Sequence, residues 1–225
     1  GESQITISRN IVINGNGATL DADNKIRIMA INTGVSVNLN NLTFINGKVN
    51  GRGGAIYVSN NANYNFSLSN SNFTNNSASI DGGAIFLDSN YDSNTIVNCN
   101  FNSNNAGVNG GGGAIYIGKY YSGGFLNITN SNFTNNQAGW GGAFCSYMRA
   151  IVINSTFTRN QAVSSEGGAI GEFEGAYLKV IDSTFDSNAG RDGGAVYSNA
   201  DFIGSCLNFT NNTATIFNNN YGRGG

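Results

Sequence analysis

The chain has 225 residues, only 11% of them charged, with a formal net charge of -2, no histidine and no proline. So few charges, with no basic cluster, exclude the electrostatic footprint of a nucleic-acid or anionic-membrane binder. The missing histidine removes the commonest metal ligand and the usual general base near neutral pH, and with it any serine-histidine or cysteine-histidine nucleophile scheme.

Residues 5 to 47 read as a divergent opening of a repeat. Ile5, Ile7, Val12, Ile13, Asn14 and Gly15 superpose on Val37, Leu39, Phe44, Ile45, Asn46 and Gly47 at an offset of 32, and terminal repeats are expected to be atypical. Ile26 to Ile31 stands where later repeats carry Gly-Gly-Ala. That tripeptide first appears at Gly53, Gly54 and Ala55 and returns at Gly82, Gly112, Gly141, Gly167 and Gly193, in steps of 29, 30, 29, 26 and 26 residues. Phe followed three residues later by Asn keeps the same time, at Phe73/Asn76, Phe101/Asn104, Phe133/Asn136, Phe157/Asn160, Phe185/Asn188 and Phe209/Asn212. Two markers recurring together at a period of 20 to 50 residues define a stacked-repeat architecture.

Aligning each repeat on its Phe exposes the columns. Five residues before it stand Leu39, Leu68, Ile96, Ile128, Val152 and Val180, then Gly204; three before it, Asn41, Asn70, Asn98, Asn130, Asn154, Asp182 and Cys206. The residues on either side of the Phe are Asn, Thr, Ile or Asp throughout. Period-two alternation of this kind means strand, with the Phe and aliphatic columns inward and the Thr/Asn columns outward. The Asn column marks a corner, because Asn tolerates left-handed backbone and can form an amide ladder with its copies. Eight to eleven residues of loop follow each Phe-x-x-Asn, and Gly-Gly-Ala then leads into a third strand whose next residue is always apolar: Ile56, Ile85, Ile115, Phe144, Ile170 and Val196. The glycines allow a tight turn there.

The reading is an all-β, right-handed, single-stranded parallel β-helix of about eight coils with three short strands each, the hand following from the crossover rule. It forms one domain over residues 1–225, with divergent coils over 1–52 and Gly-Gly-Ala/Phe-x-x-Asn coils over 53–225. Tyr221 to Gly225 reads as the opening of a further repeat in a longer array, and open coil ends are expected to favour end-to-end association. No signal peptide or membrane-spanning run is legible, so no membrane insertion is expected of this segment. Cys99, Cys145 and Cys206 fall in different repeats and different columns, Cys99 in the place of a serine and Cys145 in that of a tyrosine, so they read as isolated small side chains. No acidic cluster has the spacing of a calcium loop; no metal and no cofactor are expected.

These residues resemble two known groups. The paired GGA(I/V/L) and FxxN motifs are similar to the polymorphic outer membrane proteins of chlamydiae. The Asn-rich dialect, with FTNN at Phe73, Phe133 and Phe209, NGNGATLDADN near the start and LTFING after it, resembles the adhesin-like surface proteins of methanogenic archaea. The resemblance covers nearly the whole chain, and its motifs are coil-building positions. It implies a cell-surface location and an adhesive role, and the reading adopted is a non-enzymatic protein adhering to a host or microbial surface glycan or protein.

The connections after the Gly-Gly-Ala strand emerge on one edge and bring Tyr91 and Asp92, then Lys119, Tyr120 and Tyr121, then Tyr147 and Arg149, then Glu172, Phe173 and Glu174 to a common side. Aromatic faces with a few polar groups on a rigid scaffold suit a sugar or protein ligand, although long turns also carry tyrosines that merely cover their own coil. Trp140, just before Gly141, either stands exposed as an anchor or folds over the glycines. The rival reading is a polysaccharide-cleaving β-helix enzyme, a lyase or glycoside hydrolase. Glu166 and Asp192 occupy equivalent places in neighbouring coils and would serve as its acid and base, with Arg191 beside them as a plain ion-pair explanation. A third reading, ice binding through outward Thr columns, meets interruptions by Asn and Asp. Of the Asn-x-Ser/Thr sequons, Asn72, Asn132 and Asn208 stand in an outward column and are candidate glycan sites.

Overall fold

The computed structural model describes residues 3–59, 65–88, 93–118, 125–173 and 177–214. Every element among them is a β-strand, and all the pairings are parallel: the strands stack as a β-solenoid of about seven turns. Eight strands make up the Gly-Gly-Ala sheet, from Ile5–Ile7 through Ile56–Val58 and Ile115–Ile117 to Val196–Ser198. A second, 14-stranded sheet carries both the aliphatic strands, such as Phe125–Thr129, and the Phe strands, such as Asn132–Thr134. The stretch expected as loop after Phe-x-x-Asn contains a fourth, two-residue strand in most coils, for example Ser77–Ala78 and Gln137–Ala138. Its brevity hides it from any periodicity argument, since two residues cannot display an alternation.

Register is kept residue for residue, so each column becomes a physical stack. Phe44, Phe73, Phe101, Phe133, Phe157 and Phe185 are buried, and successive rings lie face to face at 4.7 to 4.9 Å. That separation is the strand spacing, so the ring stack is dictated by the backbone ladder. Leu39, Leu68, Ile96, Ile128, Val152 and Val180 fill the core beside it.

The Gly-Gly-Ala motif divides into three separate requirements. The first glycine lies in the left-handed region in all six copies, as at Gly82 with φ 63° and Gly112 with φ 66°. The second faces the carbonyl of its counterpart one coil on: a Cβ on Gly83 would collide with Gly113 O, and one on Gly113 with Gly142 O. The alanine is buried, with room for one methyl.

Two left-handed positions bend each coil on either side of the Phe. Asn41, Asn70, Asn98, Asn130, Asn154, Asp182 and Cys206 all have φ between 47° and 55°, as the corner reading requires. The second bend falls two residues after the Phe, at Asn46, Asn75, Ser103, Asn135, Arg159, Ser187 and Asn211. An amide ladder does run along the corner column, in pieces and exposed: Asn98 Nδ2 donates to Asn70 Oδ1 at 3.1 Å and Asn154 Nδ2 to Asn130 Oδ1 at 2.8 Å. The continuous ladder is built instead by the buried Asn of Phe-x-x-Asn. From Asn76 through Asn104, Asn136, Asn160 and Asn188 to Asn212, each Nδ2 donates to the next coil's Oδ1 at 2.9 to 3.0 Å. A parallel row of buried hydroxyls takes backbone N–H groups from the preceding coil, as where Ser131 N donates to Ser155 Oγ at 3.2 Å. Cys99 stands in this row, its Sγ donating to Val97 O at 3.3 Å as the serines do.

The opening turn departs from the alignment expected for it. Ile5 and Ile7 belong to the Gly-Gly-Ala sheet, opposite Met29 and Ile31, while Ile11 and Ile13 stack on Val37 and Leu39. Asn14 then faces Asn40 and Ala18 faces Leu42, so a bulge at Asn16 and Gly17, both with positive φ, shifts the frame. Leu20, not Val12, therefore occupies the Phe column, and Val12 is 65% exposed. The strand Met29–Ile31 does lie where Ile26 to Ile31 was expected to replace the Gly-Gly-Ala strand.

Candidate functional site

The edge after the Gly-Gly-Ala strand resolves into two surfaces. On the first, a second aromatic column runs outside that sheet: Tyr57, Phe86, Tyr116, Tyr147, Phe173 and Tyr197, with ring centroids 5.3 to 5.7 Å apart. The register places Cys145 and Gly171, not Tyr147 and Phe173, opposite Tyr116 and Tyr197. Each gap is filled from two residues further along the chain: a Cβ on Gly171 would run into the Phe173 ring at 2.8 Å. Tyr147 and Phe173, expected on the binding edge, are thus half-buried members of this column. Arg27 and Arg52 lie over its first rings, with guanidinium carbons 4.9 Å from the Tyr57 centroid and 5.1 Å from that of Phe86.

Trp140 folds over glycine: its Nε1 and Cδ1 occupy the space above Gly111 of the preceding coil. The indole N–H is buried there, facing the Cys145 sulfur. Cys145 lies in the same packing, fully buried, and burial pushes its thiol well above the ordinary range. Burial likewise raises Cys99 to about 11; buried thiols of this kind are poor nucleophiles.

Glu166 and Asp192 converge on one cation. Arg191 Nη2 pairs with Glu166 Oε1, and Arg191 Nε donates to Asp192 Oδ2 at 2.9 Å. Ser165 Oγ donates to the other Glu166 oxygen. The two carboxylates thus share one guanidinium, the ion pair that Arg191 was expected to supply. Asp81, at the equivalent place three coils before Glu166 and four before Asp192, is held in the same manner by Arg52 Nε at 3.0 Å and by Gly111 N at 3.0 Å.

Glu172, expected on the outer edge beside Phe173, does not lie there. It points into the solenoid at the place of Val58, Leu87 and Ile117 and is fully buried. Ser198 Oγ donates to Oε2 at 2.7 Å, while Oε1 has no partner among the described residues. An unpaired buried polar oxygen costs about 1 to 3 kcal/mol. Glu172→Ile, between Ser146 and Ser198 in its column, removes the unpaired oxygen and is expected to raise the denaturation midpoint, and a lowered midpoint would show that the carboxylate supports the coil through Ser198.

The second surface is the outward face of the aliphatic strands. Arg149 opens the strand Arg149–Ile153 and is exposed there, so it lies on a different sheet from Tyr147. Counting eight residues back from each Phe gives its row: Phe125, Arg149, Tyr177 and Asp201, with Phe125 paired to Arg149 and Tyr177 to Asp201. Sequence reasoning stopped at the inward aliphatic column and missed this row. Of the other expected binding residues, Tyr91, Asp92, Lys119, Tyr120, Tyr121 and Glu174 lie outside the described residues. Asn72, Asn132 and Asn208 are exposed; the first two belong to an amide row in which Asn132 Nδ2 donates to Asn100 Oδ1 and Asn100 Nδ2 to Asn72 Oδ1, both at 2.9 Å.

The Chlamydia polymorphic membrane protein repeat matches residues 70–88 and 130–147. Both stretches run from the corner Asn through Phe-x-x-Asn to the end of the next Gly-Gly-Ala strand. Comparison with curated proteins and with solved structures gives no match.

Proposed function

We propose that this solenoid is part of a cell-surface adhesin-like protein, non-enzymatic, serving as stalk and binding surface for a host or microbial glycan or protein. The observation that carries the reading is the repeat match at residues 70–88 and 130–147, in the same phase of the coil each time. Polymorphic membrane protein repeats imply surface exposure, and the Asn-rich dialect is that of an adhesin-like variant of the same architecture. In this reading Asn72, Asn132 and Asn208 are outward positions for glycan attachment. The Arg191 ion-pair cluster favours a structural over a catalytic role for Glu166 and Asp192.

The test is a glycan and host-protein array probed with the purified chain, run beside a reducing-sugar release assay on pooled polysaccharides. Binding without release is expected. Release that disappears in Glu166→Gln or Asp192→Asn would replace the adhesin by an enzyme, and silence in both assays would reduce it to a passive spacer.

A further inference from the structure

The outward face of the aliphatic strands changes character along the solenoid. In the early coils it presents Asn38, Asn40, Ser67 and Ser69; in the later ones it presents Ile151, Ile153, Lys179 and Ile181, bordered by the row Phe125, Arg149, Tyr177 and Asp201. A coil stacked in register places successive members of that row one strand spacing, ~4.8 Å, apart. Two aromatic side chains thus flank a guanidinium one coil away on either side.

Among the described residues, the cations of this face are not tied to a carboxylate. Arg52 and Arg191 are tied to carboxylates, whereas Arg149 and Lys179 have no carboxylate partner among the described residues. They sit on neighbouring coils, with Ala150 opposite Leu178 and Ile151 opposite Lys179 fixing their register.

We propose that this face binds a carboxylate-bearing glycan, an oligosaccharide containing uronic acid, laid along the solenoid axis. The inference rests on the adhesin reading and names the class of its ligand. Arg149 takes the carboxylate as a two-pronged, charge-assisted pair, and Lys179 supplies a second positive charge one coil on. Phe125 and Tyr177 offer flat faces to the C–H faces of the sugars on either side, one pyranose being comparable in length to one coil rise. Asp201 closes the row with a negative charge one coil beyond Tyr177, which ends the site there and disfavours densely charged polyanions such as sulfated glycans or nucleic acid.

The experiment is calorimetric titration of the chain with a galacturonic acid tetramer, its methyl ester, a sulfated oligosaccharide of the same length and an acidic peptide. The acid tetramer is expected to bind, with esterification weakening it about tenfold or more. Arg149→Gln and Lys179→Gln are each expected to weaken it several-fold at unchanged thermal midpoint, and Phe125→Ala to weaken the tetramer. Equal binding of acid and ester, wild-type affinity in Arg149→Gln, or tighter binding of the sulfated chain or the peptide would each overturn the proposal. Capture of neutral glycans or proteins on the array without uronate binding would sink this inference and leave the adhesin reading standing; no ligand in either experiment would remove both.

Discussion

Phe133→Ala is expected to lower the stability of the solenoid by about 3 to 5 kcal/mol, the range for truncating a buried aromatic side chain. The ring is wholly buried and is sandwiched between Phe101 at 4.8 Å and Phe157 at 4.7 Å, nearly parallel to both. Its removal therefore opens a cavity that two neighbours border, and the coil cannot collapse to fill it because the backbone above and below is fixed by the ladder of strand hydrogen bonds. In a stacked-repeat protein each coil is held by its two neighbours, so a lesson in the middle of the stack weakens two interfaces at once. Phe209→Ala supplies the comparison, since that ring is 48% exposed and stacks on Phe185 within the column. Denaturant unfolding of both variants should rank Phe133 well above Phe209. Equal midpoints would mean that the column is ornament and that the aliphatic core alone holds the coil together.

The parts of this molecule visible in its sequence are those where one physical demand admits few residue types. A backbone with positive φ beside a facing carbonyl admits glycine, so Gly-Gly-Ala could be read as a turn, and an inward strand position admits Phe or an aliphatic. The second bend, at Asn46, Asn75, Ser103, Asn135, Arg159, Ser187 and Asn211, was not legible, because an exposed left-handed residue is tolerated in several types once its neighbours hold it. The outer aromatic column was hidden by Cys145 and Gly171, whose missing rings arrive from Tyr147 and Phe173, a substitution visible only in three dimensions. The bulge at Asn16 and Gly17 defeated alignment of the first turn, since a fixed offset cannot absorb extra residues. Glu172 was misplaced because a charged residue next to a variable turn reads as solvent-exposed by default. The candidate site was legible only in Arg149, a single member of a row whose other members lie in separate repeats.

Asn136→Ala tests the buried amide ladder, the feature that gives Phe-x-x-Asn its second fixed position. Asn136 Oδ1 accepts from both the backbone N and the Nδ2 of Asn104, at 3.0 Å each, while its own Nδ2 donates to Phe101 O at 3.0 Å and to Asn160 Oδ1 at 2.9 Å. Truncation leaves Asn104 N–H buried with no acceptor and strips one bond from the Asn104 amide, which keeps Phe73 O. One orphaned buried donor and the loss of the remaining bonds together are expected to cost about 2 to 4 kcal/mol. Alanine scanning alone would not separate a ladder from a set of independent side chains, but coupling does. If the amides act as one chain, the Asn104→Ala, Asn136→Ala double variant should lose clearly less than the sum of the two single losses, because the first truncation has already broken the bond that the second removes. Strict additivity in denaturant unfolding would show instead that each Asn acts alone on the backbone of its own coil. The N-terminal end of the ladder already shows how such a chain is terminated: Gly47 takes the Asn place, and its backbone N–H donates to Asn76 Oδ1 at 2.9 Å, so the last acceptor is satisfied without a further side chain. Placing an Asn there is therefore expected to destabilise, since a Cβ at Gly47 would clash with the carbonyl of Gly54 and with the very oxygen that the glycine now serves.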